Sequence, residues 1–62
     1  MPFASALSPD EFASLQEVAK GFDQRPIPEV DAVRLLELDL IYKLLGLLRM
    51  TGAGRARIAS GN

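Results

Sequence analysis

The chain has 62 residues, seven Lys and Arg against eight Asp and Glu, no His and no Cys, and a net charge of −1 at pH 7. A chain of this length forms one domain and buries only about 60% of its unfolded surface, so its stability is marginal. Without Cys or His, disulfides, thiolate zinc sites and most transition-metal sites are excluded, which leaves dimerisation as the available staple.

The charge is divided along the chain. All eight acids fall in residues 1–39, with three cations, and the other four cations fall in residues 40–62. Met1-Pro2-Phe3-Ala4 lacks the basic start of a secretory signal. The leucine-rich stretch from Leu35 to Met50 is interrupted by Glu37, Asp39, Lys43 and Arg49. A bilayer span wants roughly 20 nearly uncharged residues, so a cytoplasmic protein with no membrane partner is expected. One domain over 1–62 is expected, with residues 1–7 and 59–62 flexible.

The first element is a helix over 9–20. Ser8 fits the N-cap, Pro9 the first helical position and Glu11 the third, which completes a Ser-x-x-Glu capping box. Leu7 and Phe12 stand at staple positions, and Phe12, Leu15, Ala19 and Phe22 recur as one apolar stripe. Gly21 suits the left-handed position that ends the helix. Arg25-Pro26-Ile27-Pro28 cannot be regular helix, because each proline restricts the residue before it. A second helix opens at Pro28 and runs to about Leu38. Its helical wheel groups Ala32, Val33 and Leu36 on one side, with Asp31, Arg34 and Glu37 opposite.

The leucines that follow have two readings. One helix from Glu29 to Met50 would put Lys43 in the apolar stripe and Gly46 mid-helix, at about 1 kcal/mol relative to Ala. A hairpin with Leu44-Leu45-Gly46 as a three-residue loop avoids both. Lys43 then pairs with Leu47, Tyr42 with Leu48, Ile41 with Arg49 and Leu40 with Met50. One face becomes Leu40, Tyr42, Leu48 and Met50. The other carries Ile41, Lys43, Leu47 and Arg49, so its cations share a side. Thr51 caps a short last helix. The expected class is mostly α with a small β-hairpin, an α+β chain in the order helix, helix, hairpin, short helix.

Arg34-Leu35-Leu36-Glu37-Leu38-Asp39-Leu40-Ile41 and Gly46-Leu47-Leu48-Arg49-Met50-Thr51-Gly52-Ala53-Gly54-Arg55 resemble winged helix-turn-helix proteins of the small bacterial regulator type. In that family a recognition helix is followed by a wing hairpin and a Leu-Thr-x-x-Gly-Arg helix start. The resemblance implies a miniature winged-helix-like domain that binds double-stranded DNA. Two features depart from the pattern. Asp39 stands where glycine is usual, and it tolerates the left-handed conformation. Only Phe22 to Ile27 is available for the middle helix, so the motif is degenerate or truncated.

Lys43, Arg49, Arg55 and Arg57 are the candidate phosphate contacts, positioning without reading sequence. Arg34 is the candidate base contact, but Asp31 and Glu37 flank it and an ion pair is the plainer reading. Leu44 and Leu45 at the hairpin tip suit a protein interface better than a DNA wing, unless the tip folds back onto Phe3 or Leu7. Gly52 and Gly54 read as close packing rather than a phosphate cradle. Asp10, Glu11 and Glu17 read as solvated charge, and no nucleophile stands beside a base. No enzyme activity, cofactor, metal or small-molecule substrate is expected. The expected function is a DNA-binding, transcription-regulatory module, dimeric. The alternative is a protein-interaction or homodimerisation module without nucleic-acid binding, and an all-helical dimer follows if Glu29 to Met50 is one helix.

Overall fold

A computed structural model describes residues 6–61. The order is α1 (Pro9–Val18), one 3-10 turn (Gly21–Asp23), α2 (Glu29–Glu37), β1 (Ile41–Leu44), β2 (Leu47–Met50) and α3 (Gly52–Ser60). The sheet is a two-stranded antiparallel hairpin, so residues 29–50 are helix plus hairpin and not one helix.

The capping box forms as spaced. The Ser8 hydroxyl accepts from the Glu11 amide at 3.1 Å, and the Glu11 carboxylate accepts from the Ser8 amide at 3.0 Å. Gly21 takes φ 72° and turns the chain out of the α1 direction. Phe22, expected on the α1 stripe, is therefore 86% exposed. Leu7, Leu15 and Val18 from this end of the chain join Leu35, Leu40 and Ile41 in the core. Phe12, Ile27, Leu38, Leu48, Met50 and Ile58 pack around them.

The inward face of α2 differs from the wheel. Leu35 and Asp31 are buried and Leu38 packs on the core, whereas Val33 and Leu36 face outward. An acid one turn before Leu35 is tolerated inside because the Ser14 hydroxyl of α1 donates to Asp31 Oδ2 at 2.7 Å. A buried polar pair that satisfies itself lets Asp31, Leu35 and Leu38 form the contact face.

Asp39 ends α2 at φ 62°. Its amide donates to Leu36 O at 3.1 Å and the Leu40 amide donates to Leu35 O at 3.0 Å, a Schellman closure with aspartate in the left-handed position. This reversal drops Leu40 and Ile41 into the core and starts the hairpin.

The hairpin forms one residue out of the expected register. Ile41 pairs with Met50, Tyr42 with Arg49, Lys43 with Leu48 and Leu44 with Leu47. Leu45 (φ 52°) and Gly46 (φ 82°) are both left-handed, which makes a two-residue loop of the type I′ kind. That loop matches the strand twist better than a three-residue loop with one left-handed residue. A slip of one residue turns one strand over relative to the other. Leu48 and Met50 stay on the core side as expected, Ile41 joins them, and Tyr42 leaves at 43% exposed. Tyr42, Leu44, Leu47 and Arg49 form the outer face, so Lys43 and Arg49 lie on opposite sides.

Thr51 locks α3 to this hairpin. Its hydroxyl accepts from the Gly54 amide at 3.0 Å and donates to Asp39 O at 2.7 Å, and its amide donates to Leu40 O at 3.1 Å. Gly54 is buried with no room for a side chain, because a Cβ would overlap the Leu40 carbonyl oxygen. Gly52 faces open space, so the close packing expected of this glycine pair belongs to Gly54 alone. Of the ends expected to be flexible, Leu7 is buried and Ala59 and Ser60 are helical, while residues 1–5 and Asn62 lie outside the described residues. A contact of the tip with Phe3 lies outside them too.

Candidate interaction surface

The register disperses the four candidate phosphate contacts. Lys43 is exposed on the side of the hairpin that holds Leu48. Arg49 is on the outer side, half-buried, with its guanidinium 5.7 Å from the centre of the Phe22 ring. Arg55 and Arg57 stand two residues apart on α3, and such neighbours point to different sides of a helix. Arg57 is half-buried while Arg55 is exposed. Arg34 turns from its own helix to α1 and stands 3.9 Å from the Glu11 carboxylate. The ion pair that Arg34 makes is with Glu11 on α1, not with its flanking acids Asp31 or Glu37.

Apolar side chains are what the surface collects. On α2, Val30, Val33 and Leu36 are exposed, with Val30 at 73%, and Glu29 and Glu37 are exposed among them. At a helical spacing of about 100° per residue these five share one arc, opposite Asp31 and Leu35. On the hairpin, Tyr42 and Leu44 are exposed on the outer face beside half-buried Leu47 and Arg49. Leu45 at the tip is 98% exposed, which removes the fold-back onto Leu7 as an account of it.

A groove of about 320 Å³ lies between the linker, α2 and the hairpin. Its walls are Arg25, Pro26 and Ile27 from the linker, Ala32 from α2, and Gly46 and Leu47 from the hairpin. Ala32 precedes Leu36 by one helical turn, and Leu47 belongs to the outer face of the hairpin, so both apolar areas border the groove. The linker is held in place by polar contacts. The Gln24 side-chain amide donates to Gly21 O at 2.8 Å and to Leu48 O at 3.0 Å, clamping the chain to β2. The Arg25 amide donates to Glu17 Oε2 at 2.6 Å, and Lys20 pairs with the other carboxylate oxygen at 3.0 Å. The Arg25 amide first, and then Lys20, hold the Glu17 carboxyl below its ordinary range.

Among the described residues no group of three or more His, Cys, Asp or Glu is placed to hold a metal ion, and no helix is long and apolar enough to cross a membrane. Leu44 and Leu45, singled out from the sequence, are exposed, and so are Val30, Val33 and Leu36, which were not singled out as surface. The signal for that face was Leu35 with Leu38, a pair that outweighs two β-branched residues once Asp31 has a hydroxyl partner. Tyr42 and Phe22 were missed because each depends on one local geometry, the hairpin register and the turn at Gly21. No family model matches the chain, and neither curated proteins nor solved structures yield a match.

Proposed function

We propose that this chain is a non-enzymatic interaction module whose partner is a second copy of itself. The observation that carries the proposal is Leu45. A leucine with φ 52° gives up roughly 1 kcal/mol relative to an ordinary backbone conformation. Asn or Gly would fill that position with less strain. With 98% of its surface in water, Leu45 recovers nothing by packing within its own chain. Strain retained without internal benefit marks a residue used externally, and an exposed leucine is used against another apolar surface.

The size of the chain supports self-association over a scaffold that works alone. Among the described residues six fully or nearly fully buried apolar side chains make a small core, and a chain without Cys has no disulfide to supplement it. Among the described residues seven large hydrophobic side chains remain exposed, enough to extend that core across an interface. The spread of Lys43, Arg49, Arg55 and Arg57 over different sides weighs against a phosphate track.

Sedimentation velocity from micromolar to near-millimolar chain, at low and moderate salt, tests the proposal. Self-association that rises with concentration and weakens in Leu45→Asn, with the fold intact, is the expected result. A chain that stays monomeric throughout overturns it. So does tight binding of duplex DNA at low salt that is lost in Arg49→Ala with Arg55→Ala, the behaviour of a DNA-binding module.

A further inference from the structure

Building on that reading, we propose how the two copies meet: α2 of each copy lies against the outer face of the partner's hairpin. The two surfaces are complementary in charge as well as apolarity. The α2 arc sets Val30, Val33 and Leu36 among the acids Glu29 and Glu37. The hairpin face sets Tyr42, Leu44 and Leu47 beside Arg49, with Arg25 on the adjoining wall of the groove. An acidic apolar strip and a basic apolar strip on one chain are each other's natural counterpart.

The groove makes this pairing able to close. It borders α2 through Ala32, which neighbours Leu36 of the α2 strip, and the hairpin through Gly46 and Leu47, of which Leu47 belongs to the hairpin strip. A two-fold axis near the groove then carries each α2 strip onto the partner's hairpin, satisfying both contacts together. The same axis brings each Leu45 tip, adjacent in sequence to Gly46, onto the partner. Arg49 is already oriented by the Phe22 ring, so little freedom is lost when a carboxylate from the partner approaches it.

Reciprocal contacts of this kind predict an unusual mixing behaviour. Take one variant with Glu29→Lys and Glu37→Lys, and a second with Arg25→Glu and Arg49→Glu. Within either variant both strips carry the same sign, and each self-association should weaken about tenfold or more. When the two are mixed in equal amounts, every α2 strip again faces a hairpin of opposite sign at both contacts. Association should return to near the wild-type level. All four side chains stand at the surface or are half-buried, and circular dichroism with thermal melting verifies the fold of each variant.

Val33→Gln, which removes apolarity without touching charge, should weaken wild-type association and also the mixed pair. If wild type associates while both variants associate equally well, or if mixing restores nothing, the α2-to-hairpin arrangement is overturned and self-association stands on another surface. If wild type itself does not associate, the proposed function falls and the arrangement with it.

Discussion

Gly54→Ala isolates the contact that fixes α3 on the hairpin. In an open helix the change would favour folding by about 1 kcal/mol, because alanine has the better helix propensity. At Gly54 the new methyl overlaps the Leu40 carbonyl oxygen and comes within 3.0 Å of the Met50 methyl carbon. Met50 has a flexible end and yields cheaply. The Leu40 carbonyl does not, because it accepts the Thr51 amide at 3.1 Å and the amide of the same residue closes the end of α2 on Leu35 O. Relief therefore requires α3 to move off the hairpin, which breaks the hydrogen bond from the Thr51 amide to Leu40 O and loosens the 2.7 Å hydrogen bond from the Thr51 hydroxyl to Asp39 O. Overpacking of this kind costs about 1–3 kcal/mol and each lost hydrogen bond about 1 kcal/mol. After the propensity gain, a net loss of about 1–3 kcal/mol remains. In a domain this small that lowers Tm by about 4–8 °C per kcal/mol. Thermal and urea denaturation followed by circular dichroism measure it. Gly52→Ala, which meets nothing within 4 Å, is the matched control and should leave Tm unchanged or raised. A Gly54→Ala protein as stable as wild type, or two variants with equal losses, would refute the reasoning.

Three further outcomes are expected. Ser14→Ala strips the buried Asp31 carboxylate of its hydroxyl partner and should cost about 1–3 kcal/mol, with Ser14→Ala plus Asp31→Ala costing less than the sum of the single changes in a denaturation cycle. Glu17 has a lowered folded-state pKa, so its contribution is present above the ordinary glutamate range, near 4.3, and disappears as pH falls through the folded value. Melting curves should accordingly show wild type above Glu17→Gln at pH 7, with the gap closing toward pH 3; a gap that widens in acid contradicts the assignment. Leu45→Asn should raise the stability of the dilute monomer by up to about 1 kcal/mol, since asparagine accepts the left-handed conformation, while weakening self-association. A variant that loses monomer stability would mean that the tip leucine supports its own chain.

Where an element was spelled by a short local rule, it could be read before folding. Ser8, Pro9 and Glu11 define the start of α1 by hydrogen bonds three residues apart; the helix stops at Val18, two residues short of the expected end, and Gly21 beyond it takes the expected left-handed turn. Asp39 supports the reversal after α2 for a similar reason. The hairpin was also legible, because Lys43 and Gly46 fit a helix poorly. Its register was not. Two- and three-residue loops at Leu44-Leu45-Gly46 differ by a single residue in the left-handed region, and leucine is an unusual occupant of it. That one step turned β1 over relative to β2, moved Tyr42 outward and separated Lys43 from Arg49. On α2 the obstacle was a partner 17 residues away. Asp31 looks like an exterior residue until Ser14 is placed against it, and the helix rotation follows from that pair together with Leu35. The candidate surface inherits both effects, which is why the tip leucines could be named from sequence while Val30, Val33, Leu36 and Tyr42 could not.

Amide NMR spectra of wild-type chain across a dilution series test the central claim most directly. As concentration rises, the account predicts shifts that gather on Val30, Val33 and Leu36 and on Tyr42, Leu44, Leu45, Leu47 and Arg49, with one common dissociation constant. Spectra that do not change with concentration, or changes confined to α1 and α3, would contradict it.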